Sequence, residues 1–355
     1  MFARGEIMIK NIKDLKDFLE KLVFENGVVF ITPHVGPDCD AIASAVGLNM
    51  IVKALGKEAF IVIDEDLSKV ESGVRSILEE LPKSIKIIKS SEITEVHKCK
   101  KRLLVTVDTN KKNLVPINDY SVFKDILLID HHECGELTIP TEYMFIDPKA
   151  SSASEIMFQL MCLFGVKVDY KGMENSKEEV VNIANYLLGG INLDTSKFSK
   201  NVSSTTMGIV SKLMKKGADM NYVNNLFLDD FESDMRIQNL VSMTAWNLFN
   251  IGISLNTSDI DRRYTKEELA KAADWLLKYK ATDASFALGY LESESDESYV
   301  YISARSKGRI DVGVIMSQMG GGGNEFSGAA KIESNDINEV RLTLDRVIRP
   351  GYRLK

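Results

Sequence analysis

Four short apolar runs constrain this 355-residue chain more than any other feature. They are residues 28–31 (VVFI), 60–63, 103–107 (LLVTV) and 126–129 (ILLI). LLVTV and ILLI carry no polar alternation, so both faces of each strand must be buried. That suits a parallel sheet with helices on two sides. Helical patterns alternate with the runs. Residues 40–55 place Ala41, Ala45, Leu48, Ile51 and Leu55 three and four apart, and residues 70–81 read as the next helix. Ser152 opens another, with Glu155 three residues on as a capping-box partner. Further helices are predicted near 178–188 and 205–216. The fold class is α/β, a parallel-sheet domain sandwiched by helices.

The pattern loosens after about Gly217, and the acidic stretch 229–234 (DDFESD) punctuates the chain. The expected organisation is a catalytic domain over 1–230, a linker over 231–245 and a smaller α/β domain over 246–355. In the last, 284–290 and 299–304 read as strands and 312–319 as a helix. Four glycines follow at 320–323, and then a helix over 337–348. With 44 Lys and Arg against 51 Asp and Glu, the net charge of -7 argues against an electrostatic grip on long nucleic acid. It leaves room for a small anionic ligand held through bound metal. No apolar run reaches the roughly 18 residues of a membrane span, and the N-terminus lacks the apolar core of a secretory signal. Cys39, Cys99, Cys134 and Cys162 form no C-x-x-C pair and read as reduced thiols of a cytoplasmic protein.

The chain has four histidines, His34, His97, His131 and His132, and three of them stand beside aspartates just after a β run. His34, Asp38 and Asp40 follow VVFI. Asp108 ends LLVTV, and Asp130, His131 and His132 end ILLI. Asp194 follows at a turn containing Gly189 and Gly190. Parallel strands bring such ends to one rim, where α/β sheets bind ligands. Nitrogen and oxygen donors of this kind suit Mn²⁺, Fe²⁺, Co²⁺ or Zn²⁺, and the carboxylate-rich set favours Mn²⁺. Six candidate ligands exceed the needs of one ion. Two ions about 3.5–4 Å apart that share a carboxylate would use them. The competing reading is capping, with Asp40 and Asp194 each starting a helix. His97 lies among charges and reads as a surface residue, and Cys39 as a buried structural thiol. In the C-terminal part, Ser303 to Ser306 follows a strand and brings the fixed cation of Arg305. The glycine run with Asn324 offers consecutive N–H groups to an anion.

These segments, in this order, resemble the DHH phosphoesterase superfamily, named for the motif seen here as Asp130-His131-His132. The C-terminal part is similar to its DHH-associated domain, through Ser303 to Gly308 and the glycine run. The resemblance spans about 28 to 348. Several stretches look closer to the GdpP-type cyclic-di-AMP phosphodiesterase branch than to the NrnA-type nanoRNase and pAp-phosphatase branch: Pro37-Asp38-Cys39-Asp40, His131-His132-Glu133-Cys134, Asp147-Pro148-Lys149-Ala150-Ser151-Ser152 and Gly190-Ile191-Asn192-Leu193-Asp194. The opening segment, 4–22, resembles the one preceding the catalytic unit in that branch. Membrane anchors, a sensor and a degenerate cyclase-like domain lie upstream in anchored members. The chain therefore reads as a stand-alone form or the catalytic part of a longer one.

The resemblance implies an active site in a cleft between the two domains. One Mn²⁺ would be held by His34, Asp38 and Asp108, and a second by Asp40, Asp108, His131 and Asp194, with Co²⁺ or Fe²⁺ as substitutes. Asp130 would hydrogen-bond a ligand imidazole from behind, and His132 would meet the substrate phosphate. Arg305, Gly321, Gly322, Gly323 and Asn324 would bind the far part of the nucleotide. The family usually has histidine where this chain has Asn324, a neutral group that disfavours a terminal phosphate. The expected activity is hydrolysis of cyclic-di-AMP to pApA and onward to AMP, with an oligoribonuclease and pAp phosphatase as the alternative. A non-catalytic nucleotide sensor would have lost ligands, and all six are here. The expected partner is a small nucleotide, with no long nucleic acid and no membrane, and a homodimer is left open.

Overall fold

The computed structural model describes residues 7–66, 70–96, 101–133, 139–168, 181–228, 231–247, 250–258, 263–292 and 299–348. His97, Cys99, Cys134 and the first three residues of the helix expected over 178–188 lie outside them. The chain divides into two compact units, Met1–Leu228 and Asp229–Lys355.

The first unit runs β1 (Ile7–Met8), α1 (Ile12–Glu25), β2 (Val28–Thr32), α2 (Cys39–Ala54), β3 (Glu58–Val62), α3 (Ser72–Glu80), β4 (Lys86–Ile88), β5 (Arg102–Val107), β6 (Asp125–Asp130), β7 (Tyr143–Ile146), α4 (Ala153–Leu163), α5 (Ile183–Asp194), α6 (Ser204–Lys215) and α7 (Met220–Leu226). Its sheet is seven-stranded and parallel throughout, in the order β1-β7-β6-β5-β2-β3-β4. The order reverses between β2 and β5, so the carboxyl ends of these neighbouring strands border a crevice.

Alternate residues of β2 point to opposite faces. Val29 and Ile31 join the core shared with α1 and α2, whereas Val28 and Phe30 join Phe60, Leu104 and Leu128 on the other face. That is why the strands read as unbroken apolar runs. Helix α2 departs from the single apolar stripe predicted for it. All of its residues except Met50, Lys53 and Ala54 are buried, because α4 and α5 cover the side that faces away from the sheet. Ser152 caps α4 by accepting the Glu155 N–H (3.1 Å). The reciprocal half of the expected capping box goes elsewhere, since the Glu155 carboxylate binds the N–H and hydroxyl of Ser151.

The second unit runs α8 (Phe231–Ser242), β8 (Ala245–Trp246), β9 (Ile251–Leu255), β10 (Arg263–Tyr264), α9 (Lys266–Leu277), β11 (Ala284–Leu291), β12 (Tyr299–Ser306), α10 (Val312–Gln318), β13 (Gly322–Gly323), β14 (Ser327–Glu333) and α11 (Ile337–Ile348). Its sheet is mixed, ordered β13-β14-β12-β11-β9-β8, with β10 also pairing with β11. The linker expected over 231–245 is instead mostly helix α8. Ile237 and Leu240 are buried against Leu269, Ala272 and Ala273 of α9, and Arg236 pairs with Glu268 at 2.6 Å. The neighbouring acidic stretch hid this apolar spacing. Ser303 to Ser306 lie within β12 rather than after a strand. Among the described residues, no helix is long and apolar enough to cross a membrane.

Candidate metal centre

The crevice between β2 and β5 collects every candidate ligand of the first unit. His34 follows β2, Asp108 follows β5, Asp130 ends β6, and His131 and His132 come next. Asp38 performs the capping considered above for Asp40. Its Oδ1 accepts the N–H groups of Asp40 (2.9 Å) and Ala41 (3.0 Å), which leaves Asp40 inside the first turn of α2. Asp194 neither caps a helix nor sits on a turn; it is the last residue of α5. Gly189 and Gly190, which read as turn residues, lie within that buried helix. A Cβ on Gly190 would stand 2.3 Å from Ser154 Oγ and 2.5 Å from Asp40 Oδ1. The glycine therefore lets α5 approach α2 and carry Asp194 to the crevice.

Three sets of ligand atoms result among the described residues, each gathered within 4.8 Å: His34, Asp38 and Asp108; Asp40, Asp108, His131 and Asp194; and Asp108, Asp130, His131 and His132. His34 Nε2 lies 3.8 Å from Asp38 Oδ2 and 3.6 Å from Asp108 Oδ2. His131 Nε2 lies 3.3 Å from Asp108 Oδ1 and 3.1 Å from Asp194 Oδ2. Asp108 thus turns Oδ2 to the first set and Oδ1 to the second. It is 3 % exposed, and its backbone is left-handed, with φ 61°, a conformation that is uncommon outside glycine.

The residues fit a pair of divalent cations. Among the described residues, Asp108 Oδ1 and His131 Nε2 are buried without a hydrogen-bond partner, an arrangement that coordination relieves. His34 Nδ1 donates to the Val35 carbonyl at 3.1 Å, which fixes the tautomer and leaves Nε2 facing the carboxylates.

Asp130 is buried, and its Oδ1 accepts the N–H groups of His131 (2.7 Å) and His132 (3.1 Å) and faces His132 Nδ1 at 2.8 Å. The imidazole that it holds is thus that of His132, whereas sequence placed a ligand ring there. Asn110 went unnoticed in sequence. Its amide donates to Asp130 Oδ2 (2.8 Å) and to the carbonyls of His132 (3.2 Å) and Glu133 (3.3 Å), tying the motif to the end of β5. The only sign of it was its position two residues after Asp108, which any loop amide could occupy.

The charges strain against one another. Burial opposes a charged His34, yet Asp38 and Asp108 raise it to about 9. Burial likewise opposes His131, which Asp108 and Asp194 raise to about 11. Burial pushes Asp108 up to about 6. Burial, then the charges of Asp194 and Asp108, pushes Asp40 well above the carboxylate range. Asp130 raises His132. Without metal these groups favour their protonated forms, in a site whose donor set suits cations.

A pH dependence follows for the metal-free chain. Each of these groups binds its proton more tightly folded than unfolded, so each contributes stability at low pH that is lost as pH rises through its folded value. For Asp108 the loss spans its ordinary 3.8 to about 6. For His34 it spans 6.5 to about 9. Metal binding requires deprotonated ligands, so affinity rises over the same range. The melting temperature of metal-stripped protein should fall between pH 6 and 9, and the gap to the metal-loaded form should widen. Thermal scans showing a constant gap would contradict this.

In the C-terminal unit, Arg305 lines a pocket of about 440 Å³ with Lys266, Tyr301, Ser303, Gly322 and Gly323. Asp274 orients it, lying 3.1 Å from Nε. The glycine run is not the open cradle expected from sequence. Gly320, Gly321 and Asn324 donate their N–H groups to Ser317, Met316 and Ser327. A Cβ on Gly321 would stand 2.0 Å from the Ala329 carbonyl, so the run is first a tight hairpin against β14. Gly321 and Asn324 do not line the pocket. Asn324 Oδ1 accepts the N–H groups of Phe326 and Ser327, both at 2.9 Å, which occupies that oxygen in the turn.

Sequence and structure comparisons place known proteins beside this one. The DHH family, N-terminal domain, matches residues 28–191, and the DHHA1 domain matches residues 252–349. The chain is 31 % identical over 341 residues to the cyclic-di-AMP phosphodiesterase GdpP of Geobacillus thermodenitrificans, covering 94 % of this chain and 49 % of that protein. It therefore spans about half the length of that relative. It is 25 % identical to the bifunctional oligoribonuclease and PAP phosphatase NrnA of Thermus thermophilus, over 94 % of each. An exopolyphosphatase-related protein of Bacteroides fragilis shares the fold, with a TM-score of 0.72 at 19 % identity, covering 95 % of this chain and 96 % of that one.

Proposed function

This chain belongs to the DHH family, carrying its N-terminal domain followed by a DHHA1 domain, and on that footing we propose that it is a metal-dependent phosphodiesterase that opens cyclic-di-AMP to linear pApA, with slower onward cleavage to AMP. The observation that carries the reading is Asp108, whose two oxygens face separate ligand sets. His34, Asp38 and Asp108 would hold one cation, and Asp40, Asp108, His131 and Asp194 the other. Mn²⁺ is the proposed ion, because the donors are carboxylates and imidazoles without sulfur, and Co²⁺ or Fe²⁺ could replace it. Bound cations supply positive charge for the phosphate and a nucleophile at neutral pH.

The chain's own residues do the rest. His132, with Nδ1 turned to Asp130, presents Nε2 for a phosphate oxygen. Asp130 favours the charged form of the ring, in which that nitrogen has a proton to donate as negative charge builds. Arg305 offers a planar, permanently charged donor for an anionic or nucleotide moiety. The name of the Geobacillus relative supports the cyclic dinucleotide, and a cytoplasmic location belongs to the same proposal. A second reading, cleavage of short RNA and pAp, draws support from the Thermus relative, which is matched along nearly its whole length.

Turnover of cyclic-di-AMP, pApA and pAp measured side by side with Mn²⁺ separates these. The first reading expects the highest kcat/KM for the cyclic substrate. Rapid use of pAp with the cyclic substrate untouched would establish the second reading and defeat the first. No turnover of any of them with Mn²⁺, Co²⁺ or Fe²⁺ would defeat both.

A further inference from the structure

Asp40 is fully buried, and both of its carboxylate oxygens are held by distant backbone. Ala153 N–H donates to Oδ2 (2.7 Å) and Ser154 N–H to Oδ1 (2.9 Å). These residues begin α4, whose positive end suits a carboxylate. A second carboxylate lies in the same turn. Glu155 is 2 % exposed, and its Oε2 accepts from the Ser151 N–H (3.2 Å), the Ser151 hydroxyl (2.6 Å) and the Thr206 hydroxyl (2.8 Å). Thr206 is itself anchored in the first turn of α6, where its hydroxyl accepts the Ser203 N–H at 3.2 Å.

A buried carboxylate met by neutral donors is a poor way to stabilise a core, where an apolar side chain does better. The cap of α4 does not need it either, because Ser152 Oγ already accepts the Glu155 N–H. What Glu155 does is join α6 to the residue preceding that cap. The first turn of α4 is thereby pinned from one side while its two leading N–H groups point at Asp40 on the other.

We propose that Glu155, with Ser151 and Thr206, is a positioning residue for the metal centre: by fixing the first turn of α4 it holds the Asp40 carboxylate in the orientation that completes the set with Asp108, His131 and Asp194. The inference rests on the two-cation reading above. Affinity at one of the two positions is then set by side chains that touch no metal.

The test is a Mn²⁺ titration of the full chain, followed by electron paramagnetic resonance, with the melting temperature of the metal-free protein measured alongside. Thr206→Val removes the donor to Glu155, together with the acceptor of the Ser203 N–H, at nearly constant shape. It should weaken one of the two Mn²⁺ ions by about 10–100-fold, the usual effect of losing an outer partner of a ligand. The second ion should be unchanged, and the metal-free melting temperature should stay within about 4 °C. Glu155→Gln keeps an oxygen acceptor for both hydroxyls and should stay within about threefold of wild type at both positions. Both constants of Thr206→Val within about twofold of wild type would overturn the proposal. So would a parallel fall of both constants with the melting temperature, or a Glu155→Gln defect as large as that of Thr206→Val. A wild-type chain that binds no divalent cation would instead defeat the metal reading itself, and this inference with it.

Discussion

Asp108→Asn should lower kcat/KM by more than about 10³-fold, beyond the loss caused by removing one transition-state donor, and should reduce the metal bound per chain. Asparagine is the informative replacement. Asp108 has φ 61°, and asparagine tolerates that backbone where alanine would add strain. It keeps the side-chain shape but provides one neutral oxygen where two charged ones face His34 and His131. Any loss is then a loss of bridging rather than of fold. Elemental analysis and steady-state kinetics together decide the matter. Unchanged metal stoichiometry with near-normal turnover would refute a shared carboxylate.

His132→Ala should behave differently. Its side chain is 56 % exposed, and its ring is held by Asp130, so on the proposed mechanism its removal takes away a donor to the substrate and leaves the two proposed cation sites, which do not include it, in place. A fall in kcat of about 10²–10³-fold is expected, with both cations retained. If the variant loses metal instead, His131 and His132 have exchanged roles. The geometry argues against that exchange, since the close contacts to both Asp108 (3.3 Å) and Asp194 (3.1 Å) belong to His131.

The parallel sheet and the position of the crevice were legible because their causes are local. An apolar run of four or five residues between turn signals reads as a strand buried on both faces, and a histidine or aspartate just after it then stands at the carboxyl edge. Residue type also spoke plainly, because carboxylates and imidazoles at several strand ends suit few purposes other than holding cations. Helix α8 was illegible for an equally local reason, its two buried apolar positions being masked by acidic neighbours.

What the sequence by itself determined was therefore which residues gather at the rim and the kind of chemistry they can support. Only the tertiary structure decided what each one does there. Asp38 and Asp40 are two residues apart and chemically identical, yet one caps α2 while the other is held by the N-terminus of α4, 113 residues further along the chain. Asp194 reaches the crevice because α5 packs closely on α2 at Gly190, and Asp130 supports His132 because the chain turns as it leaves β6. The glycine run is a hairpin because β14 lies against it. Hydrogen-bond partners of this kind are chosen by proximity in space. Proximity is created by packing between segments far apart in the chain, and no local pattern of residues encodes it.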